Sequence, residues 1–178
     1  VGGGPAGLTA AYYLAREGHS VTVYESMPKL GGMLRYGIPE YRLPKSVLDR
    51  EIETITALCH EVKCNTRLGR DISMDELRRR HDAVILALGA QACQVVETPG
   101  NELEGVWQGL RFLEDVALGK PVHVGKHVAV IGGGNTAIDA ARTALRLGAG
   151  TVTIYYRRSR KEMPASDEEI EQALEEGV

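Results

Sequence analysis

Cysteine is scarce in this chain of 178 residues: only Cys59, Cys64 and Cys93 occur, an odd number with no C-x-x-C spacing. That excludes a disulfide scaffold or a cysteine metal site built within these residues, and it suits a reducing, cytoplasmic setting. Long apolar runs are also missing. None approaches the roughly 20 residues needed to cross a bilayer, and no signal peptide opens the chain, so no membrane partner is expected. There is no excess of basic charge either. With 21 Lys and Arg against 24 Asp and Glu the net charge is −3, which gives no footprint for nucleic acid. Hydrophobic residues at 43% and charged residues at 25% are ordinary for a globular protein.

An initiator methionine is absent too. Val1 leads at once into Gly2-Gly3-Gly4, a glycine turn that normally follows a buried strand, and the chain stops at Val178 where another strand is expected. The expectation is a chain truncated at both ends.

Glycine is plentiful, and its placement organises the rest. Residues 2–25 read GGGPAGLTAAYYLAREGHSVTVYE, and residues 132–158 read GGGNTAIDAARTALRLGAGTVTIYYRR. Each stretch is a glycine turn, an alanine-rich helix, a glycine (Gly18, Gly148) suited to a left-handed helix end, and a β-branched strand. The strands Ser20–Glu25 and Thr151–Tyr156 are short apolar runs, as in a parallel sheet covered on both faces. Two such starts predict an α/β protein with two Rossmann-like dinucleotide-binding units. The first unit is placed at residues 1–98, a crossover rich in glycine and proline at 99–126, and the second unit at 127–178. Between the turns, helices are predicted over Lys45–His60 and Met74–Arg80. Strands are predicted over Glu61–Asn65 and, as a buried run, Asp82–Leu88.

In the first turn, Gly2, Gly4 and Gly7 form G-x-G-x-x-G. The first glycine makes the turn, the second admits a pyrophosphate, and the third lets helix and strand pack closely. The helix start then offers amide donors and its dipole to phosphate. Glu25 stands at the end of the next strand, where a carboxylate can accept from a ribose 2′-OH. These residues alone do not separate FAD from NAD. In the second turn, Gly132, Gly134 and Ala137 repeat the pattern, but no acid ends the following strand. Tyr156 is followed by Arg157 and Arg158, with Arg160 and Lys161 close behind. A carboxylate there would repel a 2′-phosphate, whereas guanidinium groups pair with one, so this site is expected to prefer NADPH.

Four segments together, GGGPAGLTAAYYLAREGHSVTVYE, LGGMLRYGIPEYRLPK, GGGNTAIDAARTALRLGA and YYRRSRKEMPA, resemble the small-subunit family of NADPH-dependent glutamate synthase. The same module occurs in the N-terminal part of dihydropyrimidine dehydrogenase and in flavoproteins associated with formate dehydrogenases and transhydrogenases. The resemblance spans nearly the whole chain, and GG-x(5)-IP-x-x-RLP is its most specific part. It implies that Gly4, Pro5 and Ala6 hold an FAD pyrophosphate and Glu25 the adenosine ribose. Gly31, Gly32 and Met33 would approach the flavin nucleotide. Arg42, Leu68 and Gly89 would supply further FAD contacts. Gly134, Asn135 and Thr136 would meet the NADPH pyrophosphate, with Arg157 and Arg158 on its 2′-phosphate.

The resemblance further implies hydride transfer from NADPH to FAD and onward transfer to iron–sulfur clusters, held in an N-terminal region or in a larger partner subunit. In a glutamate synthase the electrons serve glutamate formation. The alternatives are an electron-transfer subunit of a formate dehydrogenase or transhydrogenase complex, and a non-catalytic nucleotide-binding module. Disulfide reductases share the two-nucleotide layout but use a cysteine pair, and neither Leu30–Pro44 nor Glu97–Ile131 contains cysteine. The three cysteines are therefore read as inert. His60, His81, His123 and His127 are read as solvent-facing. Asp139 is read as a structural hydrogen-bonding residue. Ser166-x-x-Glu169 is read as a capping box that opens a solvated acidic helix.

Overall fold

A computed structural model of the chain describes residues 1–90, 92 and 98–178. It divides into two compact units, one of Val1–Tyr36 with Glu40–Ala92 and the other of Gly37–Pro39 with Cys93–Val178. The reading of Cys93 lies outside the described residues.

In the first unit, helix α1 (Pro5–Arg16) is followed by strand β1 (Thr22–Tyr24), the short helix α2 (Met33–Tyr36), helix α3 (Lys45–Thr56), strand β2 (Glu61–Lys63) and helix α4 (Met74–Arg80). β1 and β2 pair in parallel, with Thr22 opposite Glu61 and Tyr24 opposite Lys63. Leu8 and Ala11 of α1 and Leu48 and Ile52 of α3 close over Val23 and Leu30 as one core. Tyr24, Ile72 and Leu77 form a second cluster, which Leu68 and Val84 flank. Helix α4 begins with a reciprocal cap between Ser73 and Glu76, a signal (S-x-x-E) present in the sequence.

One expectation is corrected here. Residues 82–88 are not a buried strand: Ile85, Leu86 and Leu88 are about half exposed. Its backbone bonds run to Val1, whose amino group donates to the Ile85 carbonyl at 2.7 Å and whose carbonyl accepts from the Ala87 amide at 2.8 Å. An apolar run becomes a ladder only when a neighbouring strand runs along it. The predicted helix over Lys45–His60 also stops early, at Thr56, where Thr56 and Thr54 turn their hydroxyls onto the carbonyls of Ile52 and Arg50.

In the second unit, helix α5 (Gly109–Ala117) precedes strand β3 (His127–Ile131), helix α6 (Asn135–Arg146), strand β4 (Thr151–Tyr155), a 3-10 turn (Arg160–Glu162) and helix α7 (Asp167–Glu175). β3 and β4 pair in parallel, in register from His127 with Thr151 to Ile131 with Tyr155. α5 lies in the stretch read as a crossover, where the glycines and prolines at both ends mask nine helical residues. Its Phe112 and Leu113 are buried against Ala140, Ala141 and Ala144, whose small side chains allow close helix packing. Among the described residues no helix is long and apolar enough to cross a membrane.

Candidate functional site: two glycine turns

The first turn is built from backbone that only glycine can supply. Gly2 sits at φ +104°, and its amide donates to the Tyr24 carbonyl at 2.8 Å. A β-carbon on Gly2 would lie 2.2 Å from the Ala87 carbonyl oxygen, and one on Gly7 would lie 1.8 Å from the Gly2 carbonyl oxygen. The third glycine therefore lets α1 press its first turn onto the loop. Gly4 caps α1 without any side-chain hydrogen bond, and Pro5 and Ala6 stand exposed at the helix start. Uncapped amides with open space beside them are the donor set an anion takes.

A second glycine pair lies against the first. The Gly31 amide donates to the Gly3 carbonyl at 2.8 Å, and a β-carbon on Gly32, at φ +51°, would approach Gly4 Cα to 2.8 Å. Met33 follows, half-buried, as the first residue of α2. Two side chains that the sequence reading passed over hold this loop. Buried Arg35 donates to the Leu30 carbonyl and pairs with Asp49 of α3. The Tyr36 hydroxyl bridges the Lys29 amide and carbonyl, both at 3.0 Å, and burial pushes its pKa up.

Glu25 is buried at 6% exposure. Its Oε2 accepts from the Gly3 amide at 2.7 Å, while Oε1 accepts from the Met27 amide at 2.7 Å and the Ser26 hydroxyl at 3.0 Å. The carboxylate thus braces the turn from behind. With about four lone-pair positions on a carboxylate, one remains for an outside donor. Gly2, Gly4, Pro5, Ala6, Gly7, Glu25, Gly31, Gly32 and Met33 are gathered at the start of α1. Gly89, exposed at φ +73°, lies two residues past Ala87. Leu68 is half-buried in the Tyr24 cluster. Arg42 is exposed on the segment leading into α3.

The second turn repeats this plan with other side chains. Gly132, at φ +141°, donates its amide to the Tyr155 carbonyl at 3.0 Å. Gly134 caps α6 with no side-chain bond, a β-carbon there would meet nothing within 4 Å, and Asn135 and Thr136 are exposed beside it. A β-carbon on Gly132 would touch the Ala137 methyl at 3.4 Å, so the helix stands farther off than in the first turn and accepts alanine. Arg157 and Arg158 are exposed and have no carboxylate partner among the described residues, whereas Arg160 pairs with Glu171 of α7.

Cys59 and Cys64 are free, half-buried thiols whose pKa values burial raises. His81 is not solvent-facing as read: it is half-buried, with Nε2 3.1 Å from the Tyr24 hydroxyl. A separate hollow of about 320 Å³ beside Met74, Arg78 and Val84 contains none of the glycine-turn residues.

Known proteins resemble this chain over its whole length. The family model described as pyridine nucleotide-disulphide oxidoreductase matches residues 1–178. The NADP(+)-dependent formate dehydrogenase subunit beta of Moorella thermoacetica is 50% identical over 181 residues, covering 100% of this chain and 26% of the relative. The glutamate synthase [NADPH] small chain of Azospirillum brasilense is 42% identical over 190 residues, covering 100% of this chain and 39% of the relative. The chain thus spans well under half the length of these relatives. Mycobacterium tuberculosis FprA, solved in complex with NADPH, has the same fold, with a TM-score of 0.77 at 23% identity over 98% of this chain and 46% of that one. The relatives are named as NADP-linked oxidoreductases or their subunits, the group that the sequence motifs resemble. The chain belongs to the pyridine nucleotide-disulphide oxidoreductase family, an FAD- and NAD(P)-binding α/β fold.

Proposed function

We propose that the chain provides two Rossmann-like dinucleotide sites to an NADPH-dependent flavoprotein, with FAD in the unit placed at residues 1–98 and NADPH in the unit at 127–178. The observation that carries this is the contrast between two uncapped helix starts: one backed by the buried acid Glu25, the other followed by Arg157 and Arg158, which have no carboxylate partner among the described residues.

Gly4, Pro5 and Ala6 would present α1 to the FAD pyrophosphate, and Glu25 would keep its turn rigid with a lone pair left for the ribose. Gly31, Gly32 and Met33 bring bare backbone beside Gly4, and Arg42, Leu68 and Gly89 complete the contacts implied by the resemblance. Gly132, Gly134, Asn135 and Thr136 would hold the NADPH pyrophosphate. Arg157 and Arg158 would pair with the 2′-phosphate that NADH lacks. Bound FAD would supply acceptance of a hydride from NADPH and release of electrons singly to iron–sulfur clusters, in a partner subunit or in another part of the protein. The chain's own task is position and electrostatics, and no side chain here is assigned as acid or base.

Two destinations for the electrons fit. A glutamate synthase small chain is one. The higher identity to the formate dehydrogenase subunit, 50% against 42%, favours an electron-transfer role in a dehydrogenase complex as the second. Anaerobic absorbance spectra of the full protein, with NADPH and then NADH added, test the common core. Flavin bands bleached far faster by NADPH are expected. Equal bleaching would remove the preference, and no flavin bands would remove the flavoprotein reading.

A further inference from the structure

The same backbone bond occurs in each unit and aligns them residue by residue. The Gly2 amide donates to the Tyr24 carbonyl, and the Gly132 amide donates to the Tyr155 carbonyl. The next residue after each carbonyl is Glu25 in one unit and Tyr156 in the other, and each lies against the middle glycine of its turn. In the first unit that glycine, Gly3, donates to the carboxylate. In the second, a β-carbon on Gly133 would fall 2.7 Å from Tyr156 Cδ2 and 2.9 Å from Cε2, so the aromatic ring fills the place of the acid.

The ring also reaches onward. Its hydroxyl donates to the Glu162 carbonyl at 2.9 Å. The Glu162 carboxylate accepts from the Ser159 amide at 3.1 Å and the Ser159 hydroxyl at 2.9 Å, closing the short turn between them. The chain then returns to the glycine turn, where the Ala165 amide donates to the Gly133 carbonyl at 3.0 Å. Residues 157–165 form a strap pinned at both ends to the contact between Gly133 and Tyr156. Arg157 and Arg158 sit at its start, beside Tyr156 in the chain and without carboxylate partners among the described residues.

We infer that Tyr156 is a positioning residue that sets selectivity for a nucleotide bearing a 2′-phosphate, by replacing the acid and fixing the strap that presents Arg157 and Arg158. This rests on the reading of the second unit as the NADPH site. A phenol keeps the ring packing of the position, adds no negative charge beside the phosphate, and uses its one donor to hold the strap.

The test measures dissociation constants of the full protein for adenosine 2′,5′-bisphosphate and for ADP by calorimetry, with hydrogen exchange across residues 157–165. Tyr156→Phe removes only the hydroxyl. It should weaken the bisphosphate about three- to tenfold, the range of one lost hydrogen bond, leave ADP nearly unchanged, and speed exchange in the strap. Tyr156→Glu restores the acid of the first unit and should lower the bisphosphate-to-ADP preference further. A merely structural role would weaken both ligands together, so an unchanged preference in both variants overturns the inference. Arg157→Ala with Arg158→Ala is the control. If that pair abolishes the preference while Tyr156→Phe does not touch it, the role of Tyr156 alone fails. If that pair leaves the preference intact, the NADPH reading fails and the inference falls with it.

Discussion

Gly3 donates its amide hydrogen to the Glu25 carboxylate at 2.7 Å, across 22 residues of chain, and the bond is buried. Glu25→Gln places a donor where the Gly3, Ser26 and Met27 donors converge. Removing one such buried acceptor costs about 1–3 kcal/mol. The expected result is a lower melting temperature together with a reduced flavin-to-protein absorbance ratio in the full protein. A ratio and a melting temperature equal to wild type would show that the carboxylate neither braces the turn nor serves the cofactor.

Glycine positions separate strain from crowding. Gly148 sits at φ +97° with nothing within 4 Å of an added β-carbon, so Gly148→Ala carries backbone strain alone, about 1–3 kcal/mol. Gly32, at φ +51°, adds an approach of 2.8 Å to Gly4 Cα. Gly32→Ala must shift the start of α1 and should therefore lose flavin as well as stability. Both variants are read by thermal melting and by bound flavin. Retention of full flavin in Gly32→Ala would mean that the two glycine pairs are not one site.

The turns, the helices after them and the parallel strands were legible because glycine spacing and apolar periodicity act locally. Met74–Arg80 falls as expected, and the Ser166 hydroxyl accepts from the Glu169 amide at 3.3 Å. That Glu25 and Tyr156 end matching strands was legible too, but not that each lies against the middle glycine of its turn. The glycine turn reaches its strand-end partner carbonyl at Tyr24 from Gly2 but at Tyr155 from Gly132, one residue more. The bracing role of Glu25 also needed coordinates, since a strand-end acid can face a ribose or its own turn with the same spacing. Ile85, Leu86 and Leu88 read as buried because they are apolar, yet burial depends on neighbours that a sequence window does not contain.

Helix α7 is tied to α6 by charge. Glu176 accepts from Arg146 at 2.6 and 2.7 Å and from Arg142 at 2.7 Å, which lowers its pKa from 4.5 to about 2. A depressed carboxylate pKa contributes stability that is fully present above the unfolded value and is lost as pH falls from near 4.5 toward 2. Solvent screening of this half-exposed network holds the effect to about 1 kcal/mol, or about 2–4 °C in melting temperature. Melting curves between pH 6 and about 3 should therefore converge for wild type and Glu176→Gln as the acid limit is approached. Parallel curves would remove Glu176 as the titrating group.

The basic cluster after β4 should divide unequally. Arg160 is held by Glu171, an exposed pair whose loss costs about 0–1 kcal/mol, while Arg157 and Arg158 have no such partner among the described residues. A charge-assisted hydrogen bond to phosphate contributes about 1.5–3 kcal/mol, so Arg157→Ala or Arg158→Ala should weaken binding of adenosine 2′,5′-bisphosphate about 10- to 150-fold. Arg160→Ala should weaken it less than about threefold and should match Glu171→Gln, since both break the same pair. Calorimetry on the full protein decides this. A large loss in Arg160→Ala with none in Glu171→Gln would mean that Arg160 leaves its carboxylate to take the phosphate, and that the bridge to α7 is a resting arrangement of the strap.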